Sequence, residues 1–417
     1  MSKLPFSEEK LREIIKSNPT PVYVYEEKGI LETANKLNKM FEWSEGYINF
    51  YASKALPNPY IHKLLYTKAG MGIDASSMAE LVLAEKVGYE GRKIMLTSND
   101  TPADEFRKAK DLGANINFDD IDLIDYFTQK VGALPELVCF RYNPGDMRTS
   151  GGNDLIGNPA DAKYGLTKEQ ISDAYKIAKS AGSKRFGLHT MVVSSELSIE
   201  AHEETAIMMF ELAAEIEDEA GIKFEFINLG GGYGIPYNPG ESELDTETLG
   251  KLIEAKYKTV FDSRDNKPRI ATEHGRYVTG AHGYLVLSVR HLKNTYKNYV
   301  GTDGSMANLM RPGMYGAYHE ITVLGKEDLD SDHVYDVVGS LCENNDKFAI
   351  DRKLPEINVE DILVIHNAGA HGHAMGFNYN GKLRSAEVLL KEDGNFKQIR
   401  RAETLDDHFA TLDFKQL

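Results

Sequence analysis

The sequence predicts an α/β protein in which a (β/α)8 TIM-type barrel is followed by a mostly antiparallel β-barrel or β-sandwich domain. Three observations lead there. Eight short, apolar, β-rich runs recur between residues 47 and 272. The stretches between them are charged and carry helical spacing. Beyond about residue 280 strand-like runs continue, but helices no longer separate them.

In chain order the eight runs are Tyr47–Tyr51, Gly72–Ala75, Lys93–Thr97, Asn115–Phe118, Leu137–Tyr142, Phe186–Val193, Phe224–Leu229 and Arg269–Thr272. Between the second and third, Ser77–Lys86 places apolar residues near i, i+3 and i+4, the spacing of one helix face. Ile199–Ala220 is rich in Glu, Ala, Met and Leu, all good helix formers. Alternating strands and helices imply right-handed βαβ units and a parallel sheet. Eight units in roughly 250 residues close a barrel; an open doubly wound sheet is the alternative. The barrel is assigned to residues 29–280. Residues 281–417 then form the β domain, with strand-like Tyr284–Arg290, His319–Leu324, His333–Val338 and Asp361–His366 between Gly, Asn and Asp turns. One early strand, Pro21–Glu26, could cap the barrel or join the β domain; residues 1–28 are assigned to the latter.

Composition narrows the function. The 417 residues carry 48 Lys+Arg against 64 Asp+Glu, a formal net charge of −16. Nucleic acids and anionic membranes are bound by clustered cations, so neither is an expected partner. No apolar stretch reaches the length of a membrane span, and the first residues lack the apolar core of a signal peptide. Two cysteines, Cys139 and Cys342, are too few for a disulfide framework or a Cys-rich zinc site. A cytoplasmic, reducing location is expected.

Barrel active sites lie on the loops at the C-terminal ends of the strands. Lys54 follows the first run directly. A lysine among apolar neighbours has a lowered pKa and can form a Schiff base; a solvated surface lysine is the plain alternative. Gly230-Gly231-Gly232-Tyr233-Gly234 ends the seventh run. Successive glycines let backbone N–H groups approach a phosphate, although a simple tight turn has the same composition. Glu273-His274-Gly275-Arg276 ends the eighth run. Its carboxylate could keep a heterocyclic nitrogen protonated and its arginine could hold a phosphate or carboxylate, or the two could be a structural ion pair. Cys342 is a candidate proton donor or an inert thiol. His366, His371 and His373 invite a metal reading, but no HExxH motif or carboxylate facial triad accompanies them, so no metal is expected.

Taken in order, Tyr51–Lys54, Gly230–Gly234, Glu273–Arg276, Arg311–Tyr315, Cys342–Asp346 and Gly369–Asn380 resemble the pyridoxal-phosphate-dependent decarboxylases with an alanine-racemase-type barrel. Within them the diaminopimelate decarboxylases match best, from about residue 20 to 405. The most specific stretch is Asn308-Leu309-Met310-Arg311-Pro312-Gly313-Met314-Tyr315-Gly316-Ala317-Tyr318-His319. The resemblance implies that Lys54 holds the aldehyde of pyridoxal 5'-phosphate. It implies that Gly232 and the backbone at Arg276 bind the phosphate beside Gly275, and that Glu273 faces the pyridine nitrogen. Arg276, Arg311 and Tyr315 would bind substrate carboxylate. Cys342 would donate a proton and Glu343 would recognise a distal amino group, both supplied across a homodimer with shared active sites. The implied reaction converts meso-2,6-diaminopimelate to L-lysine and CO2. Alternatives are a related enzyme acting on lysine, ornithine, carboxynorspermidine or a D-amino acid, or a homologue that binds the cofactor without catalysis.

Three departures from the family pattern stand out. Its His-x-His-Ile-Gly-Ser reads His189-Thr190-Met191-Val192-Val193-Ser194, so Met191 takes the place of the ring-stacking histidine, and Ser194 keeps its cofactor-side serine. Its Gly-Ala-Tyr reads Gly369-Ala370-His371, which puts an imidazole where a phenol contacts phosphate. Its Glu-Pro-Gly-Arg has His274 for proline. One histidine lost and one gained suggest a compensated cofactor site.

Overall fold

The computed structural model describes residues 4–145 and 159–415. After β1 (Val22–Glu26), the strands β2 (Ile48–Ala52), β3 (Gly72–Ala75), β4 (Ile94–Thr97), β5 (Asn115–Phe118), β6 (Leu137–Tyr142), β7 (Arg185–Thr190), β8 (Phe224–Asn228) and β9 (Arg269–Thr272) form a closed parallel barrel in that order. β9 returns to β2 through the pairs Ile48↔Ala271 and Asn49↔Thr272. The TIM-type barrel expected from the eight runs is therefore present.

Strand side chains alternate between faces. Ile48 and Phe50 of β2, Met95 of β4, Leu137 and Cys139 of β6, and Phe226 of β8 meet, with Ala271, in one buried cluster. Contributions from alternate strands are how a barrel lumen is filled. Cys139 is thus a packing residue, and burial pushes its thiol up from the ordinary value.

The remaining strands are β10 (Gly283–Asn294), β11 (Asn298–Thr302), β12 (Ile321–Val323), β13 (His333–Val338), β14 (Lys347–Leu354), β15 (Ile362–Ile365), β16 (Ala386–Leu390) and β17 (Phe396–Arg400). Their pairings, with those of β1, are antiparallel except β1–β16 and β11–β13. The mostly antiparallel second domain is also present. β1 lies between β10 and β16 in this sheet. A helix, Glu8–Ser17, capped by Ser7, buries Leu11 and Ile14 against Val22, Val24, Val286, Val364 and Val388. Each such side chain contributes about 1.5–3 kcal/mol on leaving water.

The chain divides into two compact units. One comprises Met1–Ile30, Pro236–Glu241 and Thr279–Leu417; the other, Leu31–Ile235 and Ser242–Val278, is the barrel. The run expected to extend to Val193 stops at Thr190. There Arg141 Nη2 donates to the Met191 carbonyl (3.2 Å), and the chain turns to bridge Glu196 to Tyr233. β11, β14, β16 and β17 escape the sequence reading: β14 and β17 interrupt their buried residues with exposed charged ones, and β11 and β16 are five-residue runs beside turns. Among the described residues no helix is long and apolar enough to cross a membrane, and no group of three or more His, Cys, Asp or Glu could hold a metal ion.

Candidate active site

Lys54 stands at the C-terminal end of β2 on a single 3-10 turn, Ser53–Ala55. The turn is fixed from both sides. Ser53 Oγ lies 3.2 Å from Nε2 of His62, whose ring burial pushes down to about 3, keeping it neutral. The next helix, Pro59–Ala69, has proline at its start and Asn58 as its cap, with Asn58 Oδ1 accepting from Tyr60 N (3.0 Å). A rigid turn thus presents an exposed amine.

Two buried carboxylates share the field of that amine, and their surroundings push them apart. Glu273 follows β9. His189 Nε2 donates to its Oε2 (3.0 Å), Asn228 Nδ2 to its Oε1 (2.7 Å), and Thr97 Oγ1 lies 3.4 Å away. Asn117 Nδ2 donates to His189 Nδ1 (2.9 Å), which leaves Nε2 as the donor toward Glu273. Burial pushes the Glu273 carboxyl up. His189, Lys54 and Asn228 outweigh it and hold the group below its ordinary value. Asp74 is the penultimate residue of β3, paired with Ala52 of β2. Burial and the neighbouring Glu273 charge raise it well above the ordinary value, against the pull of Lys54 and Thr97, and its Oδ1 has no hydrogen-bond partner. The surroundings thus favour the charged form of Glu273 and the protonated form of Asp74, a division that assigns base and acid roles in many active sites.

The glycine-rich loop lies against the segment after β7. Gly230 and Gly232 have φ of +72° and +103°, where a side chain is strained. A Cβ on Gly230 would sit 2.2 Å from the Thr190 carbonyl, and one on Gly232 would sit 2.5 Å from that of Val193. Glu196 N donates to Gly232 O (2.9 Å) and Gly234 N to Glu196 O (2.8 Å), so residues 193–196, with Ser194, are zipped to the loop. Met191 meets it too: Gly231 N points at the Met191 sulfur at 3.2 Å. Gly275 packs against Ala52 and Ala55, which flank Lys54. Arg276 begins the short helix Arg276–Thr279. The structure therefore gathers Lys54, Met191, Ser194, Gly232, Glu273, Gly275 and Arg276 at one end of the barrel.

The other five predicted residues lie in the β unit. Arg311 is buried at the start of the helix Arg311–Tyr315, and Tyr315 is exposed at its end. Cys342 and Glu343 are exposed on the loop between β13 and β14. Cys342 N donates to Asn380 Oδ1 (2.8 Å), and the Asp346 carboxylate accepts from Leu341 N (2.7 Å) and Met306 N (2.5 Å). The Asn345 carbonyl closes on Gly313, so this loop packs on the Arg311 helix. His371 adopts φ +54°, a left-handed conformation that costs a non-glycine residue about 1–2 kcal/mol.

Asp74, Asn117 and Asn228 do not stand out in the sequence as site residues, and His189 does so only as part of the family motif, without a role. One signal does mark them: each is a polar residue at the C-terminal end of an apolar barrel strand. Asp346 and Asn380 fall within stretches that carry the resemblance, but their roles show only in the fold, where Asp346 also accepts from Met306 N and Asn380 from Cys342 N.

These residues suit pyridoxal phosphate. A primary amine stands beside an ionised carboxylate. The loop packs on the carbonyls of Thr190, Val193 and Glu273 so closely that no Cβ fits at Gly230, Gly231 or Gly232, and the Gly231 amide rests on a thioether, a weak acceptor that a phosphate oxygen would readily replace. Comparison with known proteins agrees. Residues 28–280 match the profile of the pyridoxal-dependent decarboxylase, pyridoxal binding domain. The chain is 42% identical over 405 residues to Protein TabA of Pseudomonas amygdali pv. tabaci, covering 97% of this chain and 94% of that one. It is 34% identical over 394 residues to the diaminopimelate decarboxylase of Methanothermobacter thermautotrophicus, covering 93% and 90%. The crystal structure of diaminopimelate decarboxylase from M. jannaschii in complex with L-lysine superposes with a TM-score of 0.87 at 30% identity, covering 97% of this chain and 94% of that one. The family resemblance in the sequence is thus borne out: the chain belongs to the pyridoxal-dependent decarboxylases, and its cofactor is pyridoxal 5'-phosphate.

Proposed function

We propose that this decarboxylase acts on meso-2,6-diaminopimelate and releases L-lysine and CO2, a step of lysine biosynthesis. The observation that carries the reading is full-length similarity to proteins named diaminopimelate decarboxylase, at 34% and 31% identity over 394 and 402 residues. The chemistry of the residues supports it. The substrate's far end bears both an acid and an amine, which call for an arginine and a glutamate together; Arg311 and Glu343 supply them.

Pyridoxal phosphate, when bound, supplies an electron sink for the charge left behind as CO2 departs. Lys54 Nζ would hold its aldehyde end. The Gly232 amide, Ser194, Gly275, the Arg276 backbone and His371 would hold its phosphate side, and Met191 would pack on its ring. Ionised Glu273 keeps the ring nitrogen protonated. Arg276, Arg311 and Tyr315 bind substrate carboxylate, Glu343 takes the distal ammonium, and Cys342 Sγ–H delivers a proton to the decarboxylated carbon. Two chains pair as a homodimer, each lending Cys342 and Glu343 to its partner's site; their exposure on the single chain supports this.

A second reading has its own support. Identity with Protein TabA, 42%, exceeds that with the diaminopimelate decarboxylases named above, and Met191 and His371 replace family residues at the cofactor. In that reading the same machinery accepts a different amino acid. CO2 release from meso-diaminopimelate, L-lysine and L-ornithine, each assayed with the pure enzyme, decides. Release from meso-diaminopimelate alone is expected; release from another amino acid and not from it would sink the first reading.

A further inference from the structure

Arg311 takes its pose from a histidine. Its guanidinium carbon lies 4.3 Å from the centroid of the Tyr237 ring, and its Nη1 lies 2.9 Å from Nε2 of fully buried His319. Across that imidazole, Nδ1 lies 2.8 Å from the His366 carbonyl oxygen. A carbonyl only accepts, so Nδ1 carries the hydrogen. A guanidinium only donates, so Nε2 offers its lone pair. The ring is therefore the neutral Nδ1–H tautomer.

Two more contacts hold this residue, one at its backbone and one at its ring. Arg352 Nη1 donates to the His319 carbonyl (2.8 Å), and Tyr237 meets the imidazole edge-on at 5.2 Å. The neutrality matters. A carboxylate at this position would orient Arg311 equally well, but it would satisfy the cation's charge and compete with an incoming carboxylate. An imidazole lone pair and an aromatic face orient the guanidinium and leave its charge intact.

We infer that His319 is the positioning residue of the substrate-binding arginine: its neutral Nε2 sets the plane in which Arg311 meets the substrate carboxylate. The inference rests on the role given to Arg311 above.

Two substitutions test it. In His319→Gln an amide oxygen can reach the place of Nε2; in His319→Asn the amide reaches only the place of Nδ1. Kinetics are measured on meso-diaminopimelate, or on whichever amino acid the CO2 assay selects. For His319→Asn, KM is expected to rise about tenfold to a hundredfold with kcat changed less than about threefold, whereas His319→Gln keeps KM within about threefold. Equal KM changes in the two variants, or a loss confined to kcat, would overturn the inference. Should His319→Asn fail to fold, His319→Leu against His319→Gln makes the same comparison. Arg311→Met separates the two ideas. If it leaves KM unchanged, the role of Arg311 itself falls. If it raises KM while His319→Asn does not, only the positioning role falls.

Discussion

The two groups of site residues are built on opposite plans. At the end of the barrel, Glu273 is buried and its hydrogen bonds come from β4, β7 and β8, with β5 supporting through Asn117. In the β unit, Cys342 and Glu343 stand exposed on a loop held by its backbone. The first plan sets a charge state, because a buried carboxylate is governed by its neighbours. The second fixes where a thiol and a carboxylate stand but leaves their surroundings to whatever covers them. The barrel-end group is thus held by partners from its own unit, whereas the proposed proton donor and specificity residue stand exposed.

The largest effect should come from separating the groups. Lys54→Ala and Cys342→Ala are each expected to cut turnover by at least about a thousandfold. Lys54→Ala should also abolish the visible absorption that borohydride bleaches in the native protein. Mixed in equal amounts and allowed to reassort, the two inactive variants should recover about a quarter of native activity, since half the dimers then hold one intact site of two. No recovery from a mixture shown to exchange subunits would remove the shared-site arrangement.

Glu273→Gln tests the buried plan. It keeps shape and loses charge, so kcat should fall about a hundredfold while the fold persists. A change under about threefold would show that the ionised carboxylate is not what the barrel is built to supply.

A smaller effect is expected at Asp74, and it depends on pH. Burial raises this carboxyl in the folded chain, so the native state binds the proton more tightly than the unfolded one. Its contribution to stability is full below the ordinary carboxylate range, near pH 4, and is lost as pH rises. Asp74→Asn should therefore melt like the native protein at about pH 4 and about 2–4 °C higher at pH 8. A gain that is larger in acid would reverse the assigned direction.

The smallest effect concerns the two family departures. If His371 compensates for the histidine replaced by Met191, His371→Phe should weaken cofactor retention about threefold to tenfold, read by equilibrium dialysis. Unchanged affinity and turnover would end the compensation idea.

Much of the fold and of the barrel-end site is legible in the amino-acid sequence. The barrel can be read because each strand is a short apolar run bounded by helix-forming sequence, and periodicity is a local property. The expected site residues at the barrel end stand out because barrel chemistry sits at strand ends. The hidden part is long-range. Asp74 looks like one more strand residue until it is set beside Lys54 and Glu273, and His319 acquires a tautomer only once His366 and Arg311 are at its two nitrogens. β17, with its exposed Lys397 and Gln398, lacks the continuous apolar run that reveals β10.

By itself the sequence determined the order of strands and helices in the barrel, the family and the residue types available for chemistry, since these follow from local pattern and from motifs in fixed order. Only the tertiary structure decided the state of those residues. Which carboxylate is ionised, which histidine nitrogen carries hydrogen and which glycine amide rests on sulfur depend on burial and on partners brought from distant strands. Those are the terms that set proton affinity and hydrogen bonding.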